Sequence, residues 1–224
     1  MKILFKFASR SRPAKFKKCV ENIRKMVTSS DYHVLVSADF DDPLMNNSDI
    51  ASFCEREDVT LCYGNSINKV HAINRDIADY SDNWAVIINT SDDMLFVKEG
   101  FDDDIRSAMM AQIPSTDGVL HYNDGNQRDN VMTMSIIGRR AFDRDGYIYH
   151  PSYQSLWCDV EATEVAKIRG IHRYMGDDVI LFRHLHPAWG LAESDDQYKK
   201  TEAKEVWTAD EANFNYRKRN NFFA

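Results

Sequence analysis

Trp84 to Asn89 (WAVIIN) is an almost wholly apolar run that leads directly into Thr90-Ser91-Asp92-Asp93. Two adjacent carboxylates at a solvent-facing strand end offer hard oxygen ligands, and a Mg or Mn ion held this way shares its other positions with water and substrate phosphates. The same residues also suit a turn whose acids cap a following helix. Two further groups carry titratable side chains: Trp157-Cys158-Asp159-Val160-Glu161 and Arg183-His184-Leu185-His186-Pro187. In the first, Asp159 has the type and place of a helix N-cap, with Glu161 and Glu164 favoured by the helix dipole. In the second, a neutral imidazole is either a structural histidine or a ligand for a transition metal.

These groups need a scaffold, and the hydrophobic pattern supplies one. Lys2 to Ala8 (KILFKFA) is predicted as a first buried strand, stopped by Ser9-Arg10-Ser11-Arg12-Pro13, and Ala14 to Val27 follows with helical spacing. His33 to Ala38 is a second strand that cannot continue through Asp39-Phe40-Asp41-Asp42-Pro43, and Ile50 to Arg56 is a short helix. A third strand, Val59 to Tyr63, precedes Gly64-Asn65-Ser66 and a helix marked by Ile67, Val70, Ile73 and Ile77. Beyond the WAVIIN strand come a helix from Gly100 to Met110, strands near Gly118 to Tyr122 and Met132 to Gly138, a helix from about Trp157 to Arg169, and a strand from Val179 to Phe182. Strands alternating with helices imply one mostly parallel sheet of the α/β class, with ligands beyond the carboxyl ends of its strands. The acidic loops at Asp39 and Asp92-Asp93 therefore converge on one cleft.

With 224 residues, 43% hydrophobic and 28% charged, the chain suits a single folded α/β domain with a short extension. No stretch is apolar enough for a membrane span and the first residues turn charged too soon for a secretory signal, so a cytoplasmic location is expected. Cys19, Cys54, Cys62 and Cys158 lack metal or disulfide spacing and are expected to be reduced and mostly buried. A net charge of −7 argues against a surface built for polyanions. Nine Lys or Arg against Glu21 alone between Lys2 and Lys25 form either a solvated helix face or a rim for a phosphorylated donor or nucleic acid. GxGxxG and GxxxxGK[ST] are both absent.

In its order of parts the chain resembles the GT-A fold, and glycosyltransferase family 2 in particular, over residues 1 to 190, with 191 to 224 as a C-terminal helical extension. The resemblance implies a hexosyl- or pentosyltransferase that uses Mn or Mg to move a sugar from a nucleoside-diphosphate sugar to an acceptor hydroxyl. In this reading Ser9, Arg10, Arg12 and Pro13 form the Arg/Pro loop, Asp39 contacts the donor base, and Asn65, Lys69 and Asn74 face the donor. Ser91-Asp92-Asp93 stands at the DXD motif, with Asp93 the direct metal ligand, although SDD departs from the full motif and leaves the ligand set open. Asp159 matches the acid that serves as general base, giving an inverting displacement. A late histidine supplies a second metal ligand. With the two rings of His184-Leu185-His186 taken to point to opposite faces, His186, beside Pro187, is favoured over His184. Asp195-Asp196 and Tyr198 are placed to close over the donor, the Asn123-Asp124-Gly125-Asn126 turn to face the acceptor, and Tyr147, Tyr149 and Tyr153 either to stack on sugar or to pack. Glycans and modified DNA bases, the latter in a viral enzyme acting in host cytoplasm, are the acceptors considered. A sugar-nucleotide nucleotidyltransferase and a non-catalytic carbohydrate- or nucleic-acid-binding domain are the rival readings; the first normally has a Gly-rich loop that SRSRP lacks.

Overall fold

The computed structural model describes residues 1–222. Its core is a seven-stranded sheet in the order β3-β2-β1-β4-β7-β6-β8. Here β1 is Ile3–Ala8, β2 Tyr32–Asp39, β3 Val59–Gly64, β4 Val86–Thr90, β6 Val119–His121, β7 Ile136–Gly138 and β8 His172–Tyr174. The first four run parallel, β7 is antiparallel to both β4 and β6, and β8 is parallel to β6. The sheet is thus mostly parallel, with one reversed strand inside it.

Strand alternation divides the core into two. Ile3, Phe5, Phe7, Val34, Val36, Val86 and Ile88 face one apolar layer, while Leu4, Leu35 and Ile87 face the other. Helices α1 (Pro13–Met26), α2 (Ser48–Arg56) and α4 (Phe101–Gln112) cover the first layer. Those covering the second are α3 (Lys69–Asn74), α5 (Arg139–Asp145), α6 (Cys158–Ile168) and α8 (Lys204–Arg219). In α1, Pro13 occupies the first turn, where its missing N–H costs nothing, and Phe16, Cys19, Val20 and Ile23 are buried at helical spacing. The four cysteines are free, three of them buried and Cys62 half-buried. Among the described residues no helix is long and apolar enough to cross a membrane.

Several predicted bounds shift. Ile67 lies outside α3 and is exposed, whereas Ile77, beyond its end, is buried. Met132 to Ser135 are not strand, and the late strand β9 covers Phe182–His184 rather than Val179 to Phe182. β9 pairs antiparallel with β5 (Met94–Phe96) in a small second sheet that the hydrophobic pattern missed. Helices α7 (Asp196–Thr201) and α8 lie within the expected extension, of which Phe223 and Ala224 fall outside the described residues. This segment is bound tightly to the rest. Buried Asp210 accepts the backbone N–H groups of Gln154, Ser155 and Leu156, and buried Glu161 takes two hydrogen bonds from Arg217 and one from the Tyr153 hydroxyl. Tyr149 and Tyr153 are core residues, so their packing role is the one realised.

Candidate active site

A cavity of about 290 Å³ opens where β1, β2 and β4 end, as expected for a parallel sheet. Ser9, Arg10 and Arg12 reach it from the loop after β1, Asp39 from the end of β2, and Lys69 from the start of α3. Ser91, Asp92 and Asp93 reach it from the turn after β4. Pro13 and Asn65 lie outside its lining, and Asn74 instead ties down the backbone of Ile148 and Tyr149.

The β1–α1 loop is shaped by an acid cluster. Ser11 has a positive φ of 60°, a conformation that needs support in a residue with a side chain. Asp42 supplies it by accepting the Ser11 backbone N–H at 2.6 Å. Arg10 donates to Asp39 at 2.8 Å and to Asp41 at 2.6 and 2.9 Å. Arg12 bridges Asp92 (2.9 Å) and Asp195 (2.5 Å) and lies 3.8 Å above the Tyr198 ring. Both arginines are therefore paired with carboxylates.

Asp93 differs from its neighbours. Asp39, Asp41 and Asp92 each face an arginine, whereas Asp93 faces the Ser91 hydroxyl, the Tyr198 hydroxyl at 2.6 Å and His184 Nε2 at 3.5 Å. Burial works to raise its pKa, but the contacts from His184, then Ser91 and Tyr198, outweigh that and hold the carboxyl well below the usual range. Asp92 moves the other way: burial raises it more than Arg12 lowers it, and Asp93 adds to the rise.

The small sheet explains why His184 is there. Met94 pairs with His184 across β5 and β9, and the Leu185 N–H donates to the Asp93 carbonyl at 2.7 Å, which sets the ring opposite the Asp93 side chain. His186 is a different case. Its Nε2 is 2.7 Å from Glu202, and its Nδ1 accepts the Ala188 N–H. The expectation that His186 is the ring beside Asp93 is corrected. So is the expectation that the two rings diverge: residues two apart on a strand share a face, and their centroids are 5.2 Å apart. The second nitrogen of His184, Nδ1, is buried without a hydrogen-bond partner, 4.0 Å from Asp124.

Asp159 is not the N-cap of α6. The helix starts at Cys158, the cap is Trp157 at φ 63°, and Asp159 is half-buried in the first turn with its carboxylate accepting the Val160 N–H. Burial raises its pKa, while the charges of Lys69 and His184 oppose the rise. Asp159 does not line the cavity, which Lys69 does. Asp124 is buried and accepts the N–H groups of Asn126 and Gln127 and the Thr133 hydroxyl. At Gly125, φ is +92°, a conformation that favours glycine, and a Cβ there would meet only the end of the exposed Arg183 side chain.

Two participants were poorly legible. Tyr198 was singled out without a spacing argument, and its contact with Asp93 crosses 105 residues of chain. Lys6 was not singled out, yet it is fully buried, donates to Ser37 and the Phe7 carbonyl, and is lowered by burial to about 7. A lysine in an otherwise apolar strand, ILFKFA, was the available signal.

No protein-family model and no curated protein sequence matches the chain, but its structure superposes on solved proteins. A mannosyltransferase from Pyrobaculum calidifontis, PcManGT, in complex with GDP-Man and Mn2+, is similar with a TM-score of 0.61 at 14% identity, over 84% of this chain and 59% of that one. The chain has the GT-A fold. S. aureus TarS 1-349 in complex with UDP-GlcNAc gives 0.59 at 15% identity over 82% of this chain and 58% of that one. Glucosyl-3-phosphoglycerate synthase from Mycobacterium tuberculosis, with Mn2+, UDP and glucosyl-3-phosphoglycerate, gives 0.57 at 9% over 93% and 78%. This GT-A chain thus spans about three fifths of the first two.

The donor set fits the divalent cation named for two of these neighbours. Asp93, which has no arginine or lysine partner, lines the cavity, and His184 Nε2 lies 3.5 Å from its carboxylate. A carboxylate oxygen paired with an imidazole nitrogen is a donor set that a first-row transition-metal dication accepts more readily than Mg does.

Proposed function

We propose that this chain is a metal-dependent glycosyltransferase that takes a sugar from a nucleoside-diphosphate sugar and transfers it, with inversion, to an acceptor hydroxyl. The observation that carries the reading is the approach of Asp93 and His184 across the β5/β9 pair, beside a cavity that Asp39 also lines. Asp93 and His184 would hold Mn or Mg, which supplies Lewis-acid stabilisation of the departing diphosphate. Asp124, 4.0 Å behind His184 Nδ1, would orient the ring by closing in to accept its N–H.

Asp39 receives the Ser66 backbone N–H at 3.1 Å, which leaves it fixed as an acceptor for a base N–H. Ser9, Arg10, Arg12, Ser91 and Asp92 line the same cavity as Asp39 and Asp93. A diphosphate there competes with the aspartates for the two arginines, so donor binding loosens the Arg10–Asp41 and Arg12–Asp195 pairs and redirects positive charge to the leaving group. Lys69, exposed at the rim, adds charge on the side nearest Asp159. Asp159 removes the acceptor proton, a role that its raised pKa suits. Residues 1–190 form the transfer domain, and 191–224 form an extension that lends Tyr198 to the site. A modified DNA acceptor has no support in the compared structures, and the acceptor class is left at a hydroxyl.

A panel of UDP- and GDP-sugars assayed for Mn-dependent hydrolysis tests the reading. One donor should be cleaved in Mn and not in a chelator. Failure of all donors, with no thermal stabilisation by any, would remove it.

A further inference from the structure

A second group of potential ligands lies on the other wing of the sheet. His121 ends β6, His172 opens β8, and Asp129 belongs to the loop between β6 and β7. His121 Nδ1 and His172 Nε2 face each other at 2.9 Å, and Asp129 Oδ1 lies 3.9 Å from each. Among the described residues this is the group of three whose ligand atoms all lie within 4.8 Å of one another. Strand pairing explains the meeting: β6 and β8 are parallel, Val119 is opposite His172, and His121, two residues on, projects from the same face.

We infer that His121, His172 and Asp129 form a binding site for a borderline divalent cation of the zinc class, separate from the candidate active site. Two nitrogens 2.9 Å apart, each at a bond length of about 2.0–2.1 Å from an ion, subtend about 90° at it. Asp129 closes the set by moving inward a few tenths of an ångström. It is the exposed member, whereas His121 is almost wholly buried, so the nitrogens are pre-set and the carboxylate is free to adjust. Lys167 Nζ, 3.1 Å from the same Asp129 oxygen, competes for it and must turn to solvent.

The histidines are ready to bind. Burial and mutual repulsion lower His121 to about 4, and burial lowers His172 as well, so both rings are neutral near pH 7 and carry lone pairs. A single hydrogen bond uses one proton between them; a cation uses both lone pairs. Imidazole nitrogens select zinc, cobalt or nickel over magnesium, which distinguishes this site from one served by Mg at Asp93. The consequence is mechanical. An ion here joins β6, β8 and the loop that also carries Asp124, the acid behind His184.

The test is zinc titration by calorimetry, with Asp93→Ala as the background so that the active-site acid does not contribute. One equivalent of Zn2+ should bind in this background. At about 100 times its Kd the ion should raise Tm by about 5–10 °C. Adding His172→Ala should abolish that equivalent, with circular dichroism verifying the fold. Asp129→Asn, at an exposed position that folding tolerates, should weaken binding by about tenfold or more. Substitution by Co2+ should give d–d bands in the Asp93→Ala protein that disappear with His172→Ala. Unchanged zinc affinity in either His172→Ala or Asp129→Asn overturns the site, as does absence of zinc binding in the Asp93→Ala background. If His172→Ala does not fold, the Asp129→Asn result alone decides.

Discussion

Tyr198→Phe separates what the C-terminal segment does for the empty site from what it does for the loaded one. The phenol donates to Asp93 Oδ2 at 2.6 Å, and its ring lies 3.8 Å from the Arg12 guanidinium. Phenylalanine keeps the ring, its burial and the arginine contact, and removes one hydrogen bond to a charged acceptor. Such bonds contribute about 1.5–3 kcal/mol. Asp93 retains Ser91 and His184, so the low end applies, about 1.5 kcal/mol, or a Tm lower by about 3–6 °C for a chain of this size. The effect on Mn2+ runs the other way. An ion that uses the same oxygen no longer competes with the phenol, so affinity should rise, by at most about tenfold for that energy. Differential scanning fluorimetry without metal, and calorimetry with Mn2+, measure the two halves. A tenfold loss of Mn2+ affinity would refute the reasoning and make Tyr198 a group that holds Asp93 in its binding pose.

His184→Ala should weaken Mn2+ binding by about tenfold or more, whereas His186→Ala should leave it near wild type and cost about 1 kcal/mol through the lost Glu202 contact, both read by calorimetry and thermal melts. Asp159→Asn keeps an acceptor for the Val160 N–H, so stability should stay within about 1 kcal/mol while transfer falls about 100-fold, measured as kcat with donor affinity unchanged. Lys6 has a folded pKa near 7 against an unfolded value of 10.5. The unfolded chain therefore binds more protons between those values, and wild-type stability should rise with pH from about 7 toward 10. The rise is on the order of 3–5 kcal/mol, and urea melts of Lys6→Met should lack it.

The sheet was legible because its strands are long apolar runs and its early helices carry regular buried spacing, as in Phe16, Cys19, Val20 and Ile23. Asp39 and Ser91-Asp92-Asp93 were legible for the same reason: each ends such a strand. The short elements were not. β5 and β8 have three residues each, too few for a period to show, and β9 was anticipated two to three residues early, so the β5–β9 register that sets His184 beside Asp93 was not legible. The choice of His186 failed on face assignment, since alternation puts i and i+2 together. Asp159 failed as a cap because Trp157 takes the left-handed conformation two residues earlier than the acid pattern suggests. Tyr198 reaches Asp93 only through tertiary packing, which no local pattern encodes.

Isothermal titration of the nucleotide-sugar that the panel selects, with Mn2+ and with a chelator, in the wild-type protein and in Asp93→Ala, tests most directly whether Asp93 binds the metal that binds the donor. Mn2+ should tighten donor binding by about tenfold or more in the wild-type protein and have no effect in Asp93→Ala, whose fold is intact by circular dichroism. Equal donor affinity with and without Mn2+ in the wild-type protein, or an undiminished Mn2+ effect in Asp93→Ala, would contradict it.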